Sequence, residues 1–401
     1  MLGRHLRRFS SEPGFMYAWG DSYHLKLGQD HHIDPLLTPT RIQLRTRLFI
    51  GENLRFFPLH PASQILCEDL HDRFIKAATG PFHCALLSEK GELYTFGDND
   101  FHKLGHTRAN YWLPTKLPFG FHRMVDAACG YDFSIALAQD GSVFTWGYGG
   151  EAINFWKAVF YTERPGALGQ GDYGNYSTPT LVEALKAVKV EEVQAGYEHA
   201  LVRSTEGQVF VWGNNEFGGL GLPGVRNLTL PQEVHLPCAI KQISAARNYC
   251  AALGITGEVF VWGENSHGQL GVSEQFLEKP RKVAEGVDWM EAGESCLALV
   301  SDRSVRVSGL EQLQMREFAL PARPKSITCG DEFFAVTLSS GLTYHYGGLF
   351  KDKRSCFVLR RPTELEVVER SFFPTKVLRL FGKYSYHLAL LEASALLPVE
   401  D

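Results

Sequence analysis

Short runs of small apolar residues alternate with short aromatic runs along most of this chain, and within each run apolar and polar positions alternate with a period near two. The stretch Ala77–Leu87, Ser88-Glu89-Lys90-Gly91 and Glu92-Leu93-Tyr94-Thr95-Phe96-Gly97 is representative. A period of two is that of a half-buried β-strand, and a glycine between two such runs supplies the positive φ of a tight hairpin. A helix is excluded, because glycine recurs too often inside the segments. The spacing is regular. Gly80, Gly130, Gly196 and Gly330 start the first run, with Ala246 in the same place. Gly91, Gly141, Gly207, Gly341 and Gly257 follow eleven residues later, and Gly97, Gly147, Gly213, Gly347 and Gly263 six after those. Before the last set stand Phe96, Trp146, Trp212, Tyr346 and Trp262. A worn copy runs Gly293, Arg303, Gly309, with Ser308 in the aromatic place.

First-run signals lie at Gly80, Gly130, Gly196, Ala246, Gly293, Gly330 and Gly382, at steps of 37 to 66 residues. Such periods, with several strands per unit, predict a β-propeller whose units bury their faces by stacking. Second-run signals end at Gly20, Gly97, Gly147, Gly213, Gly263, Gly309 and Gly347. The two sets are out of step at the ends: Met16–Gly20 has no first run before it, and Leu378–Leu391 has no aromatic-Gly run after it. The expectation is an all-β chain, a seven-bladed β-propeller over residues 12–396. Its N-terminal strand pairs with the C-terminal strands in one composite blade, which leaves no open edge at the seam. Insertions fall at about 41–74 and 149–166.

A Leu-Gly follows the aromatic-Gly pair at a fixed distance: Gly20 to Gly28, Gly97 to Gly105, Gly213 to Gly221 and Gly263 to Gly271 are each eight residues apart. The clearest copies are Gly196-Tyr197-Glu198-His199 through Trp212-Gly213 to Leu220-Gly221, and Glu258-Val259-Phe260-Val261-Trp262-Gly263 to Leu270-Gly271. This pattern resembles the repeat of the regulator of chromosome condensation family, over about residues 15–391. The resemblance implies a propeller that binds partners through its loops. Likeness to the family's mitochondrial members implies work in organelle gene expression or complex assembly, such as ribosome or ribosomal-RNA maturation or the building of a respiratory complex. The alternative it implies is a guanine-nucleotide exchange factor for a GTPase. The Gly-Trp-Arg-His-Thr run of the family's ultraviolet-sensing branch is absent.

Composition narrows the choice. A net charge of −5 argues against whole-surface affinity for nucleic acid or anionic membrane. No apolar run reaches the roughly 18 residues of a membrane-spanning helix. The eight cysteines fall partly in repeat register, Cys84 with Cys250 and Cys129 with Cys329, which reads as strand packing; no C-x-x-C zinc signature occurs. His83 and His199 share a position filled elsewhere by Phe133, Tyr249 and Phe333, so it is a packing position rather than a catalytic one. There is no phosphate-binding Gly-x-x-x-x-Gly-Lys, no Gly-x-Ser-x-Gly and no His-Glu-x-x-His. Asp30-His31-His32-Ile33-Asp34 reads as a solvated loop. No catalytic, cofactor or metal site is expected, and the chain is expected not to be an enzyme.

Residues 1–11 carry Arg4, Arg7 and Arg8 and no acid, with Leu2, Leu6 and Phe9 at helical spacing. That is the pattern of a mitochondrial transit peptide, which places the protein in the matrix rather than in the cytoplasm or nucleus. Partner-binding candidates lie in the two insertions. Phe155, Trp156, Phe160 and Tyr161 form an aromatic cluster suited to a protein partner. Arg41, Arg45 and Arg47 form a basic stretch suited to RNA phosphate or an acidic protein.

Overall fold

The glycine between the two runs of a repeat makes its hairpin. Gly91, Gly141, Gly207 and Gly257 have φ of 79°, 92°, 80° and 97°, a left-handed region closed to most side chains. Gly91 and Gly207 each donate N–H at 3.0 Å, to Ser88 O and Ser204 O, which closes the turn. The computed structural model describes residues 14–20, 36–41, 74–107, 114–151, 165–309, 312–330, 333–340, 342–346, 366–367, 377–381 and 386–392, with backbone alone before 74 and after 346.

The first sheet starts with β1 (Gly14–Gly20) and β2 (Leu36–Arg41) and continues with β3 (Phe74–Thr79), β4 (His83–Ser88), β5 (Leu93–Gly97) and β6 (Thr115–Lys116). The second holds β7 (Met124–Cys129), β8 (Phe133–Ala138), β9 (Val143–Gly147) and β10 (Tyr176–Leu181). The third holds β11 (Val190–Ala195), β12 (His199–Ser204), β13 (Val209–Asn214) and β14 (Asn227–Val234). The fourth holds β15 (Ile240–Ala246), β16 (Tyr249–Gly254), β17 (Val259–Glu264) and β18 (Phe276–Ala284). The fifth holds β19 (Trp289–Ala292), β20 (Cys296–Ser301), β21 (Ser304–Gly309) and β22 (Gln312–Ala319). The sixth holds β23 (Pro324–Cys329), β24 (Phe334–Leu338), β25 (Thr343–Tyr346) and β26 (Glu366–Val367). Then β27 (Val377–Phe381) and β28 (Tyr386–Glu392) return to the first sheet.

Among the described residues the propeller therefore has six sheets, not the seven expected from the repeat count. Five have four strands and the first has eight, in the order β27-β28-β1-β3-β4-β5-β6 with β2 beside β1. The cause is β1. It lies antiparallel to β28 along its full length, Ala18 opposite Leu388 and Trp19 opposite His387. Its first residue, Gly14, also pairs with Phe74 of β3. Counting repeats treats the terminal strands as a sheet of their own, whereas the Gly14–Phe74 pair joins them to the first repeat. The innermost strands contact one another in the order β3, β7, β11, β15, β19, β23, β27, and β27 touches β3 to close the circuit.

Tryptophan holds one sheet to the next. Trp146, Trp212 and Trp262 are fully buried. Their Nε1 atoms donate to Lys103 O (2.9 Å), Ala167 O (2.8 Å) and Gly219 O (2.9 Å), each the residue before a Leu-Gly of the preceding sheet. A Cβ on Gly105, Gly169 or Gly221 would come within 2.9, 2.8 and 3.0 Å of the facing indole. The Leu-Gly and the next sheet's aromatic-Gly are thus two halves of one contact. In the fifth sheet Ser308 takes the tryptophan's place, and its Oγ donates to Gln269 O at 2.7 Å. Met315 of β22 supplies the missing bulk, its Cε 3.3 Å from where a Gly271 Cβ would sit.

A second set of ties runs along the inner strands. In β3, β7, β11, β15 and β23 the register shifts between the first and third residue, a bulge repeated in each. The residue after the bulge reaches the next sheet. Lys76 bonds Asp126, Glu192 Oε2 accepts Ile243 N at 3.2 Å, and the buried Gln242 amide accepts Met290 N (3.1 Å) and donates to Met290 O (2.5 Å).

Candidate partner-binding face

The turn from the first to the second strand of a sheet and the end of its third strand lie together, since Phe133 stands opposite Gly147 and His199 opposite Gly213. One face, the mouth face, therefore collects these turns and the Leu-Gly loops around the circuit of inner strands. The turns are bonded to one another: Tyr131 N donates to Tyr197 O (2.8 Å), Tyr197 N to Arg247 O (2.7 Å) and Glu294 N to Gly330 O (3.1 Å).

Their side chains make a ledge and then a charged arc. Phe82, Tyr131 and Tyr197 meet edge to face, with centroids 4.6 and 5.1 Å apart. Burial, ahead of the neighbouring Asp132 charge, raises the Tyr131 pKa. The Tyr197 hydroxyl donates to Glu294. Arg247 follows, its Nη1 3.2 Å from His267 Nε2 and 4.0 Å from Glu294 Oε1, its Nε 3.4 Å from Glu264 Oε2. Asn248 donates to Glu264 at 2.9 Å and Asn214 to Glu198 at 2.8 Å. Arg247 has φ of 41°, a left-handed conformation for a side-chain-bearing residue, in the one turn where alanine replaces the strand-start glycine. Such strain costs on the order of 1–3 kcal/mol and persists only where the surroundings enforce it. Here the Tyr197 amide and the Glu264, Glu294 and His267 side chains do so.

At the other end of the arc Lys103 is buried. Its Nζ is 2.9 Å from Asp98 and 2.5 Å from Asp132, and 5.0 Å above the Phe82 ring. Burial raises the Asp132 pKa, opposed by Lys103. Among the described residues of this face, carboxylates (Asp98, Asp132, Glu198, Glu264, Glu294) outnumber cations, and both Lys103 and Arg247 are already paired. An aromatic ledge with excess negative charge suits a protein surface bearing donors and cations, and repels phosphate.

Beneath the ledge His83 is buried, its Nε2 2.7 Å from Ser134 Oγ. Burial, ahead of the Lys103 charge, lowers its pKa from 6.5 to about 3. The folded state keeps it neutral while the unfolded chain takes up a proton, so His83 weakens the fold as pH drops from 6.5 towards about 3. His83→Phe, the residue at the equivalent Phe133, is expected to flatten the loss of Tm between pH 6.5 and 4. Equal slopes in both proteins would assign the acid sensitivity to other groups.

Of the candidates named from sequence, Phe155, Trp156, Phe160, Tyr161, Arg45 and Arg47 lie outside the described residues, as does Asp30–Asp34. Arg41 ends β2, its backbone opposite Tyr17, and its side chain lies outside the described residues. The root of the aromatic insertion is described and lies on the mouth face. Gly166 N donates to Gly149 O (3.1 Å), while Asn175 accepts Gly149 N (2.9 Å) and donates to Glu151 O (2.8 Å). Sequence reasoning passed over Tyr131, Tyr197, Arg247 and Glu294. The signal was there: these residues follow the strand-start glycine or alanine, and they differ from repeat to repeat while that small residue recurs. Among the described residues no helix is long and apolar enough to cross a membrane, and no group of three or more His, Cys, Asp or Glu is placed to hold a metal.

The family model described as the regulator of chromosome condensation (RCC1) repeat matches residues 90–137, 206–253 and 256–298, and a second model of that description matches 124–151, 190–218 and 240–269. The chain carries regulator of chromosome condensation repeats. Similar curated proteins include the human E3 ubiquitin-protein ligase HERC2, 32% identical over 160 residues, which are 39% of this chain and 3% of that protein. The ultraviolet-B receptor UVR8 of Arabidopsis thaliana is 29% identical over 44% of this chain and 38% of its own length. The RCC1 domain-containing protein RUG3, mitochondrial, of the same plant is 30% identical over 39% of this chain and 33% of its own length. The chain thus spans well under half the length of these relatives. Among solved structures, human WBSCR16 matches with a TM-score of 0.75 at 16% identity, covering 95% of this chain and all of that one. Prp20p of Saccharomyces cerevisiae matches with a TM-score of 0.74 at 20% identity, covering 96% of this chain and 93% of that one. These two likenesses show a common repeat-propeller fold.

Proposed function

We propose that this chain is a non-enzymatic propeller that holds a protein partner on its mouth face and works in mitochondria, in gene expression or complex assembly. The carrying observation is the set of bonded turns that fixes an aromatic ledge beside the strained, paired Arg247. Strain and half-buried polar groups held at a surface are features that binding sites maintain. Prp20p, which shares the fold, has binding properties to Gsp1p and histones, both proteins. The Arg-rich, acid-free residues 1–11 and the similarity to mitochondrial RUG3 support the compartment. The carboxylate excess of the face favours a basic protein over RNA.

Glu198 is partly exposed beside Tyr197, so Glu198→Lys reverses charge on the face without entering the core. Proximity labelling in intact cells is expected to report mitochondrial neighbours for the natural chain and about tenfold less of the main one for the variant. Labelling by the variant that is unchanged, or neighbours confined to cytoplasm or nucleus, would count against this reading. A second reading, guanine-nucleotide exchange on a GTPase, draws on the aromatic insertion rooted on the same face, where it could act as a wedge. Release of labelled GDP from mitochondrial GTPases by sub-stoichiometric protein would promote it.

A further inference from the structure

We propose that the junction of the fourth and fifth sheets on this face receives a peptide carbonyl of the partner; this rests on the mouth being the partner-binding face. Two pairs of positions are equivalent by repeat. Lys103 precedes Leu104-Gly105 as Gln269 precedes Leu270-Gly271, and Asp132 precedes Phe133 as Ser295 precedes Cys296. Between the first and second sheets this pair of positions is joined directly, Lys103 Nζ to Asp132 at 2.5 Å. Between the fourth and fifth it is not. Gln269 is fully buried, with Oε1 accepting His267 N at 2.8 Å, and its Nε2 has no partner. Ser295 is 4% exposed and its Oγ has no partner. Arg247 Nε, ion-paired to Glu264, makes no hydrogen bond.

These three groups belong to one neighbourhood. Arg247 contacts His267, whose amide is held by Gln269, and Arg247 also faces Glu294, the residue before Ser295. Gln269 Nε2 and Ser295 Oγ are both able to donate and neither meets an acceptor, while Arg247 already faces carboxylates. The charge of the junction is set by the surroundings: Glu264 and Glu294 against Arg247 repel an anion and accept a neutral oxygen. A peptide carbonyl meets both conditions. Access is through His267 and Arg247, which are only partly buried. The wall behind is adaptable, because Ser308 and the unbranched Met315 stand where other sheets have tryptophan.

The probe is N-methylacetamide, a single peptide group, added to the full chain labelled with ¹⁵N in glutamine side chains. Gln242 is the internal reference, since both ends of its amide are engaged by Met290. The Gln269 carboxamide signals, assigned with Gln269→Met, are expected to shift saturably while those of Gln242 stay in place. Gln269 signals that do not move, or that move only in parallel with Gln242, overturn the proposal. Ser295→Ala is expected to keep or raise the urea midpoint and to weaken the saturable response about fivefold. A lowered midpoint overturns the proposal, because the hydroxyl is then satisfied by water in the free protein. No partner takes part, so failure here leaves the face reading standing, and failure of the labelling experiment leaves this result intact.

Discussion

Replacing Trp212 by alanine is expected to lower stability by about 3–5 kcal/mol, the range for truncating a large buried aromatic. Its side chain is fully buried among Ile135, Leu168 and Ala200, so it belongs to the core shared by the second and third sheets. Alanine opens a cavity at that boundary and leaves Ala167 O, now bonded at 2.8 Å, without its donor. Gly169 has no side chain to refill the space. Urea unfolding of the variant beside Trp212→Phe brackets the two contributions, since phenylalanine keeps one aromatic ring and loses the N–H together with the rest of the indole, which sets an upper bound on the hydrogen bond. A loss under about 1.5 kcal/mol in Trp212→Ala would show that the sheets adhere by other means.

The second large effect concerns Lys103. Asp132→Ala removes one partner of a buried cation, and breaking such a pair costs about 3–5 kcal/mol. Asp98 remains at 2.9 Å, which puts the expected loss at the lower end of that range. Removing the cation as well, in Lys103→Met with Asp132→Ala, is expected to destabilise less than the sum of the single changes, because no buried cation is left short of a partner and the remaining Asp98 is partly exposed. A double-mutant cycle in urea measures the coupling. Strict additivity would mean that the pair does not act as a pair.

The hairpins were legible from the chain because two strong local signals coincide, a period of two and a glycine at positive φ. The Leu-Gly loops were legible as spacing, but not as contact. Only the structure shows that Gly105, Gly169 and Gly221 are small because an indole from the next sheet lies on them. The loss of the aromatic at Ser308 was visible, while its replacement by Met315 was not, since Met315 comes from a strand with no repeat mark. The count of sheets failed for a related reason: one backbone pair, Gly14 with Phe74, merges two strand groups, and no residue type announces a pairing across so much chain. The face was less legible than the insertions, because an insertion breaks the ruler and a side-chain change within it does not. Tyr131, Tyr197, Arg247 and Glu294 keep the ruler and differ only in identity.

The partnership of β1 with β28 bears on how the protein is made. Synthesis delivers β1 well before β28, so the edge of β1 that meets β28 stays unmet until the sheets between them have been made. Local hairpins along the way form without that delay, whereas the final clasp depends on a long-range encounter that is slow by its nature. The newborn chain therefore spends its vulnerable period as an arc with two sticky ends, and a holding factor that masks Gly14–Gly20 would shelter it where it is most exposed to mispairing.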